Sequence, residues 1–149
     1  MKSTFDIDLK RGKYYEEEVL NKIKTKYSSA HLIEGKCKEW DIFIPELNFG
    51  VEVKFDIESK KTGNIVVEIE FDGKPSALST TKSEWWVWND GDRYTWFKVP
   101  MIWKCINENY LVPRQFMAKG DTKYKKAYLI KKDLLYKYSY KKTNENGKA

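Results

Sequence analysis

Three charged side chains interrupt two segments whose other residues have β-strand character. Asp41 lies within residues 40–44, and Glu52 and Lys54 lie within residues 49–55. Because successive side chains of a strand point to opposite faces, Glu52 and Lys54 are expected on the same face. Two carboxylates and an ammonium group are suited to binding a divalent cation and a phosphate. These three residues are therefore the first candidates for chemistry.

The spacing of the two segments predicts a β-hairpin that brings the carboxylates together. Residues 45–48 have the composition of a tight turn. If this turn places Ile44 opposite Phe49, then Asp41 lies directly opposite Glu52. Their Cβ atoms would be about 5 Å apart, a separation at which two carboxylates repel each other.

A divalent cation would relieve that repulsion. Mg²⁺ prefers oxygen ligands, which Asp41, Glu52 and the backbone carbonyl of Val53 could supply together with waters. The ion would then coordinate a phosphate oxygen of the substrate, while Lys54 orients the attacking water or neutralises developing charge. We expect Mg²⁺ as the cofactor, with Mn²⁺ able to replace it.

These residues must be positioned by the surrounding helices and strands. The pattern of apolar residues predicts an α/β domain with a largely antiparallel central sheet. Apolar residues recur at helical spacing over residues 11–27, and Thr81 and Glu84 have the spacing of a capping box. The expected helices are 11–27, 76–84, 100–108 and 132–140, and the expected strands are 31–34, 39–44, 49–55, 64–71, 85–89, 93–99 and 127–130. We expect one domain over residues 1–142 and a polar tail over residues 143–149.

Composition excludes several classes of protein. The 149 residues include 15% aromatic side chains, which favours a packed core over disorder, and they contain no apolar run long enough for a membrane span. The charged N-terminus lacks the features of a secretory signal, so we expect a soluble, cytoplasmic protein with no membrane partner. A single histidine and two cysteines without CxxC spacing argue against a zinc site. No glycine-rich phosphate loop is present, and no organic cofactor is expected.

The net charge of +6 comes from the C-terminal fifth of the chain. Residues 119–149 hold ten lysines against three carboxylates, and five tyrosines are interleaved with them. Lysines that release counterions and tyrosines that stack suit a nucleic acid, which makes Lys123, Lys125 and Lys126 candidate DNA contacts. A solvated lysine-rich surface is the alternative explanation.

The pattern Asp41-x10-Glu52-x-Lys54 on a predicted strand-turn-strand, after a helix that carries glutamates, resembles the PD-(D/E)xK nuclease superfamily. The resemblance covers roughly residues 11–90. Trp40 stands where the family motif has proline. The resemblance implies a restriction-endonuclease-like fold, with a central mixed, mostly antiparallel sheet flanked by helices.

Further site residues follow from the same resemblance. Members often add a glutamate from the first helix as a metal ligand, and Glu16, Glu17 and Glu18 compete for that role. Glu16 shares the apolar stripe of the helix more closely than Glu18 does and is the first choice, with Glu17 second. A charged first turn favoured by the helix dipole is the alternative explanation. A helical segment after the hairpin brings a lysine to the substrate phosphate in similar proteins. Lys74, Thr81 and Lys82 are candidate DNA contacts on that basis, although a polar loop with a capped turn would have the same sequence.

The resemblance implies a metal-dependent endonuclease that hydrolyses DNA phosphodiesters. The small size favours a structure-specific enzyme, similar to Holliday-junction resolvases of phages and prokaryotes, acting as a homodimer in recombination or repair. If a phage encodes it, the host-cell cytoplasm is the expected location. DNA or RNA as substrate, and one or two metal ions, remain open at this stage.

Two alternatives come from other classes of protein. One is a non-catalytic nucleic-acid-binding protein that keeps the nuclease fold. The other is a structural protein in which Asp41 and Lys54 form a cross-strand ion pair.

Overall fold

The computed structural model describes residues 4–36, 38–117, 120 and 122–141. In chain order its elements are α1 (Thr4–Lys24), β1 (His31–Leu32), β2 (Ile42–Ile44), β3 (Phe49–Phe55), α2 (Ser59–Thr62), β4 (Asn64–Phe71), β5 (Lys74–Pro75), a 3₁₀ helix (Ala77–Ser79), β6 (Trp85–Asn89), β7 (Tyr94–Lys98), α3 (Val99–Glu108), β8 (Arg114–Phe116), β9 (Lys125–Lys131) and α4 (Lys132–Tyr136). The result is an α/β fold that contains a mixed five-stranded sheet. The expected tail 143–149 and the domain boundary at residue 142 lie outside the described residues.

The first sheet has the strand order β1-β2-β3-β6-β7. The predicted hairpin register is confirmed, because Ile44 pairs with Phe49 and Ile42 pairs with Val51 across β2 and β3. Strands β3 and β6 are parallel, whereas the other neighbours are antiparallel. A parallel pair requires a long crossover, and the chain uses that crossover to build part of a second sheet.

The second sheet has the order β5-β4-β9-β8 and is antiparallel throughout. The described residues therefore form two sheets, whereas one central sheet was predicted. Strand β4 has the alternation that its sequence indicates, with Ile65 and Val67 fully buried. However, its main partner is β9, more than fifty residues later, and a local pattern does not specify so distant a partner.

The two sheets enclose the larger of two apolar clusters. The inner face of the second sheet packs against Trp86, Trp88 and Phe97 of the first sheet, and helix α3 adds Ile102 and Ile106. Helix α1 covers the opposite face of the first sheet.

A smaller cluster forms under α1, where Val19 and Ile23 contact Ile42, Val51 and Val87. The even-numbered residues of β3 point away from this helix. As the alternation predicts, Glu52 and Lys54 therefore lie on one face, on the side of the second sheet.

Several element boundaries differ from the sequence-based expectation. Helix α1 begins at Thr4, seven residues before the predicted start at residue 11, and ends at Lys24, three residues before the predicted end at residue 27. Helix α4 ends at Tyr136 rather than residue 140. Helix α2 and strands β5 and β8 were not expected; each has four or fewer residues, too short to show periodicity.

The expected helix 76–84 is wrong. Only one 3₁₀ turn, Ala77–Ser79, forms there. The two residues expected to cap a helix make other bonds: the Thr81 hydroxyl accepts from the N–H of Ser83 and from the Trp86 indole, and the Glu84 carboxylate accepts from the N–H of Gly50. Tertiary partners therefore outcompete the capping box.

None of the helices that the structure describes is both long enough and apolar enough to cross a membrane.

Candidate active site

Asp41 is fixed at the point where β2 begins. Its N–H donates to the carbonyl of Val51 at 3.1 Å, and its carbonyl accepts from the N–H of Ile33 at 2.9 Å. Its carboxylate oxygen Oδ2 accepts from the N–H of Val53 at 2.8 Å. With only 7% of the residue exposed, the carboxylate has little freedom to move. The hairpin thus holds Asp41 against β3, beside Glu52.

Glu52 shares this position from the neighbouring strand. Burial raises the pKa of its carboxyl group to about 7; the ammonium of Lys54 opposes this shift, and the nearby carboxylate of Asp41 adds to it. The Lys54 Nζ lies 3.6 Å from Glu52 Oε1. The Asp41 carboxylate is thus close enough to disfavour the charge on Glu52, as the predicted register implies.

The backbone carbonyl of Val53 faces the same region. The N–H of Val53 donates to the Asp41 carboxylate, on the β2 side of β3. The carbonyl of Gly50 instead points to the β6 side, where it accepts from the N–H of Glu84. Because the N–H and C=O of one strand residue point to the same edge, the Val53 carbonyl is directed to the Asp41 side. The carbonyl, Asp41 and Glu52 together form a set of hard oxygen donors.

This donor set fits a Mg²⁺ ion that keeps several of its waters. Within the residues that the structure describes, no group of three or more His, Cys, Asp or Glu side chains is gathered to hold a metal. Mg²⁺ is commonly bound by only one or two carboxylates, with waters and substrate phosphates completing its octahedron. Asp41 and Glu52 meet that requirement without a third side chain.

Lys38 is the main residue that the sequence analysis missed. Its Nζ lies 3.1 Å from Asp41 Oδ1 and 3.4 Å from Glu16 Oε1, so it bridges the helix and the hairpin. Burial lowers the pKa of Lys38, but its bonds to the two carboxylates outweigh burial and leave the pKa raised. No motif singles this lysine out, because it lies in an irregular loop three residues before Asp41.

Glu16 reaches the cluster from α1 through Lys38. Burial raises the pKa of Glu16, and the charge of Asp41 raises it further against the opposing effect of Lys38. Glu17 is exposed. The helix therefore presents Glu16 to the cluster, but Glu16 does not complete a three-carboxylate metal group among the described residues.

Lys54 is held by an aromatic platform. Its Nζ lies 4.8 Å from the centroid of the Trp86 ring, a distance typical of a cation–π contact. The Trp86 indole N–H donates to the Thr81 hydroxyl at 3.0 Å, which fixes the ring. The ion pair proposed for a purely structural protein is wrong, since Lys54 pairs with Glu52 and Asp41 pairs with Lys38.

The cluster opens into a cleft of about 320 Å³. Its walls come from the loop before β2, from β3, from the segment after the 3₁₀ helix and from β6. The lining residues are Lys38, Glu39, Glu52, Lys54, Ala77, Thr80, Thr81, Lys82 and Trp86. Three lysines and two glutamates are among them, and Lys38 and Lys54 are ion-paired with carboxylates of the cluster.

The candidate DNA contacts fall into two groups. Thr81 and Lys82 line the cleft. The remaining lysines lie at one end of the second sheet, where Lys74 and Lys125 flank Phe71 on neighbouring strands.

Two further lysines lie near that sheet end. Lys126 pairs with Glu70 in the strand register, and the Lys123 Nζ lies 3.4 Å from Asp72 Oδ2. Three lysines of the basic C-terminal segment, at positions 119, 142 and 148, lie outside the described residues.

Comparison with protein-family models, with curated proteins and with solved structures found no match. The resemblance to the PD-(D/E)xK superfamily therefore stays a prediction that rests on the residues and their geometry.

Proposed function

We propose that the protein is a metal-dependent endonuclease that hydrolyses DNA phosphodiester bonds at the cleft. The observation that carries this proposal is the placement of the Asp41 carboxylate, which the Val53 N–H holds beside Glu52. A carboxylate pair with a lysine on the same strand face is suited to phosphate chemistry.

Asp41, Glu52 and the carbonyl of Val53 would hold Mg²⁺, and Mn²⁺ has the ligand preferences to replace it. When bound, such an ion supplies Lewis-acid polarisation of a phosphate oxygen and lowers the pKa of a coordinated water.

The chain's own residues supply positioning and charge. Lys54, seated on Trp86, aims its ammonium into the cleft, where it can orient the attacking water or neutralise charge that develops on the phosphate. Lys82 and Thr81 also line the cleft and suit contacts to the flanking phosphates.

Within this function we favour a structure-specific enzyme similar to a Holliday-junction resolvase, acting as a homodimer in recombination or repair. The observation behind this choice is size, because the described elements build the two sheets and the cleft and leave no separate recognition module among them. Two symmetric cuts require two copies of the cleft.

One specific observation favours the alternative of a non-catalytic nucleic-acid-binding protein. Each carboxylate of the cluster already has a lysine partner, Lys38 for Asp41 and Lys54 for Glu52. A site balanced in this way is stable without a metal, and its lysines would still bind phosphates.

Cleavage of supercoiled, linear and four-way-junction DNA with Mg²⁺ or Mn²⁺ separates these two functions. The wild type is compared with Asp41→Asn, Lys54→Ala and the control Lys61→Ala, an exposed lysine on α2. We expect metal-dependent cutting that falls at least 100-fold in both site variants and is unchanged in the control. Intact DNA binding without cutting of any substrate would favour the non-catalytic protein.

A further inference from the structure

A second basic pocket lies beyond the cleft, where the chain returns to the first sheet after α4. It encloses about 300 Å³, and its walls include Lys98, Lys137, Tyr140 and Lys141. We propose that this pocket binds one nucleotide of a nucleic-acid strand, with the phosphate on the lysines and the base on the Tyr140 ring. The proposal rests on the proposed function, since it assigns a second contact to the same substrate.

Residues 137–141 are tied down although they follow the last helix. The N–H of Tyr140 donates to the carbonyl of Trp96 at 2.7 Å, which attaches this segment to β7. The Tyr138 hydroxyl donates to Glu108 Oε2 on α3 at 2.8 Å. The pocket is therefore a formed feature of the fold.

The aromatic wall suits a stacked base. The Tyr140 and Trp85 rings form a T-shaped pair with ring centroids 5.0 Å apart and an interplanar angle of 86°. Because the contact is edge-to-face and Tyr140 remains 51% exposed, part of its ring stays open to solvent. A ring held in this way stacks on any base without sequence preference.

The positive charge of the pocket favours an anionic ligand. Lys98 Nζ lies 5.7 Å from the Trp85 ring centroid and 5.9 Å from that of Tyr140, so a cation stands directly beside the stacking surface. Among the residues that the structure describes, Lys98, Lys137 and Lys141 make no ion pair, and no carboxylate lines the pocket. An ammonium cluster beside an open aromatic ring fits a phosphate joined to a base better than it fits a phosphate alone.

The pocket and the cleft lie on opposite faces of the first sheet, near the start of β6. Lys82 and Trp86 line the cleft, whereas Trp85 packs on the α1 side of the sheet and contacts Tyr140. A strand bound at both sites would therefore pass around the edge of this sheet.

Binding of a fluorescent single-stranded deoxyoligonucleotide in EDTA tests the proposal without requiring cleavage. We expect Tyr140→Ala to weaken binding roughly tenfold while Tyr140→Phe retains it, because the ring and not the hydroxyl makes the contact. We expect the double variant Lys98→Ala/Lys141→Ala to weaken binding. The slope of log K against log salt concentration should become less steep by about 1.4, because each lost contact to a single-strand phosphate removes about 0.7.

Matched controls are Tyr110→Ala, an 89% exposed tyrosine, and Lys24→Ala/Lys61→Ala, two exposed lysines away from the pocket. Unchanged affinity and salt slope in the pocket variants would overturn the proposal. Loss in the lysine variant without loss in Tyr140→Ala would overturn the base contact.

Two further comparisons separate this proposal from other outcomes. Binding to phosphatidylserine vesicles that depends on the same residues, without oligonucleotide binding, would assign the pocket to a lipid surface and overturn the proposal. DNA cleavage is measured on the same preparations of the protein. A protein that cuts no DNA but still binds the oligonucleotide through Tyr140 contradicts the proposed function and not the second pocket.

Discussion

The N–H of Val53 donates a 2.8 Å hydrogen bond to Oδ2 of Asp41, which ties the middle of β3 to the residue that precedes β2. This side-chain bond takes the place of a strand-to-strand bond where β2 has already ended. It holds the Asp41 carboxylate beside Glu52 despite the repulsion between the two carboxylates.

Lys38→Met should strengthen binding of Mn²⁺ or Ca²⁺, by roughly three- to tenfold, because the Lys38 ammonium competes with a cation for Asp41 and Glu16. Methionine keeps the length of the apolar stem. Isothermal titration calorimetry measures the affinity, and Lys61→Met serves as the matched control. Weaker metal binding in Lys38→Met would show that the lysine positions the carboxylates rather than competing for them.

Glu52→Gln should stabilise the metal-free protein at pH 8. Burial and Asp41 raise the pKa of Glu52 to about 7, so its charged form is disfavoured in the folded state. The folded state then binds more protons than the unfolded state between roughly pH 4.5 and 7, and this group makes stability fall as pH rises through that window. The glutamine variant avoids that loss, on the order of 1–3 kcal/mol at pH 8.

Urea unfolding in EDTA at pH 5 and pH 8 measures this effect. The stabilisation should shrink toward pH 5, where the wild-type carboxyl group is already protonated. An equal difference at both pH values would contradict a proton-linked origin and would point to packing or to the lost Lys54 contact.

Gly50→Ala should destabilise the fold by roughly 2–4 kcal/mol. A Cβ at residue 50 would overlap the Trp40 ring, which lies directly against the glycine. Displacing that ring would also strain the bond from the Trp40 indole to the Lys82 carbonyl at the wall of the cleft. Thermal unfolding followed by circular dichroism measures the loss.

Gly12→Ala is the matched control, because a Cβ there meets no atom within 4 Å. Within α1 the same substitution should stabilise by about 0.5–1 kcal/mol. Equal and small effects at both glycines would mean that Trp40 has an alternative position at little cost.

The hairpin and its register follow from the sequence because they are local. A tight turn at 45–48 and the alternation of β3 fix which residue faces which, and this pairing brings Asp41 to Glu52. Lys38 does not follow from the sequence, since its role depends on a loop whose path is set by contacts with α1 and not by any periodic pattern.

The partner of β4 and the end of the expected helix 76–84 also lie beyond local inference. Strand β4 has a correct pattern but pairs with β9 from the far end of the chain. Thr81 and Glu84 have a capping-box spacing, yet Trp86 and Gly50 offer them buried partners that only the folded chain provides. In both cases a tertiary contact selects one of several local structures that the sequence pattern alone does not distinguish.

The parallel pairing of β3 with β6 has a consequence for the order of folding. Asp41 and Glu52 belong to a hairpin, which closes in microseconds, whereas the Trp86 platform of Lys54 arrives only after residues 56–84 have formed their crossover. In a nascent or partly unfolded chain, Asp41 and Glu52 would therefore already be paired while Lys54 still lacked its contact with Trp86. If the protein hydrolyses phosphodiester bonds as proposed, that activity would be confined to the completely folded molecule.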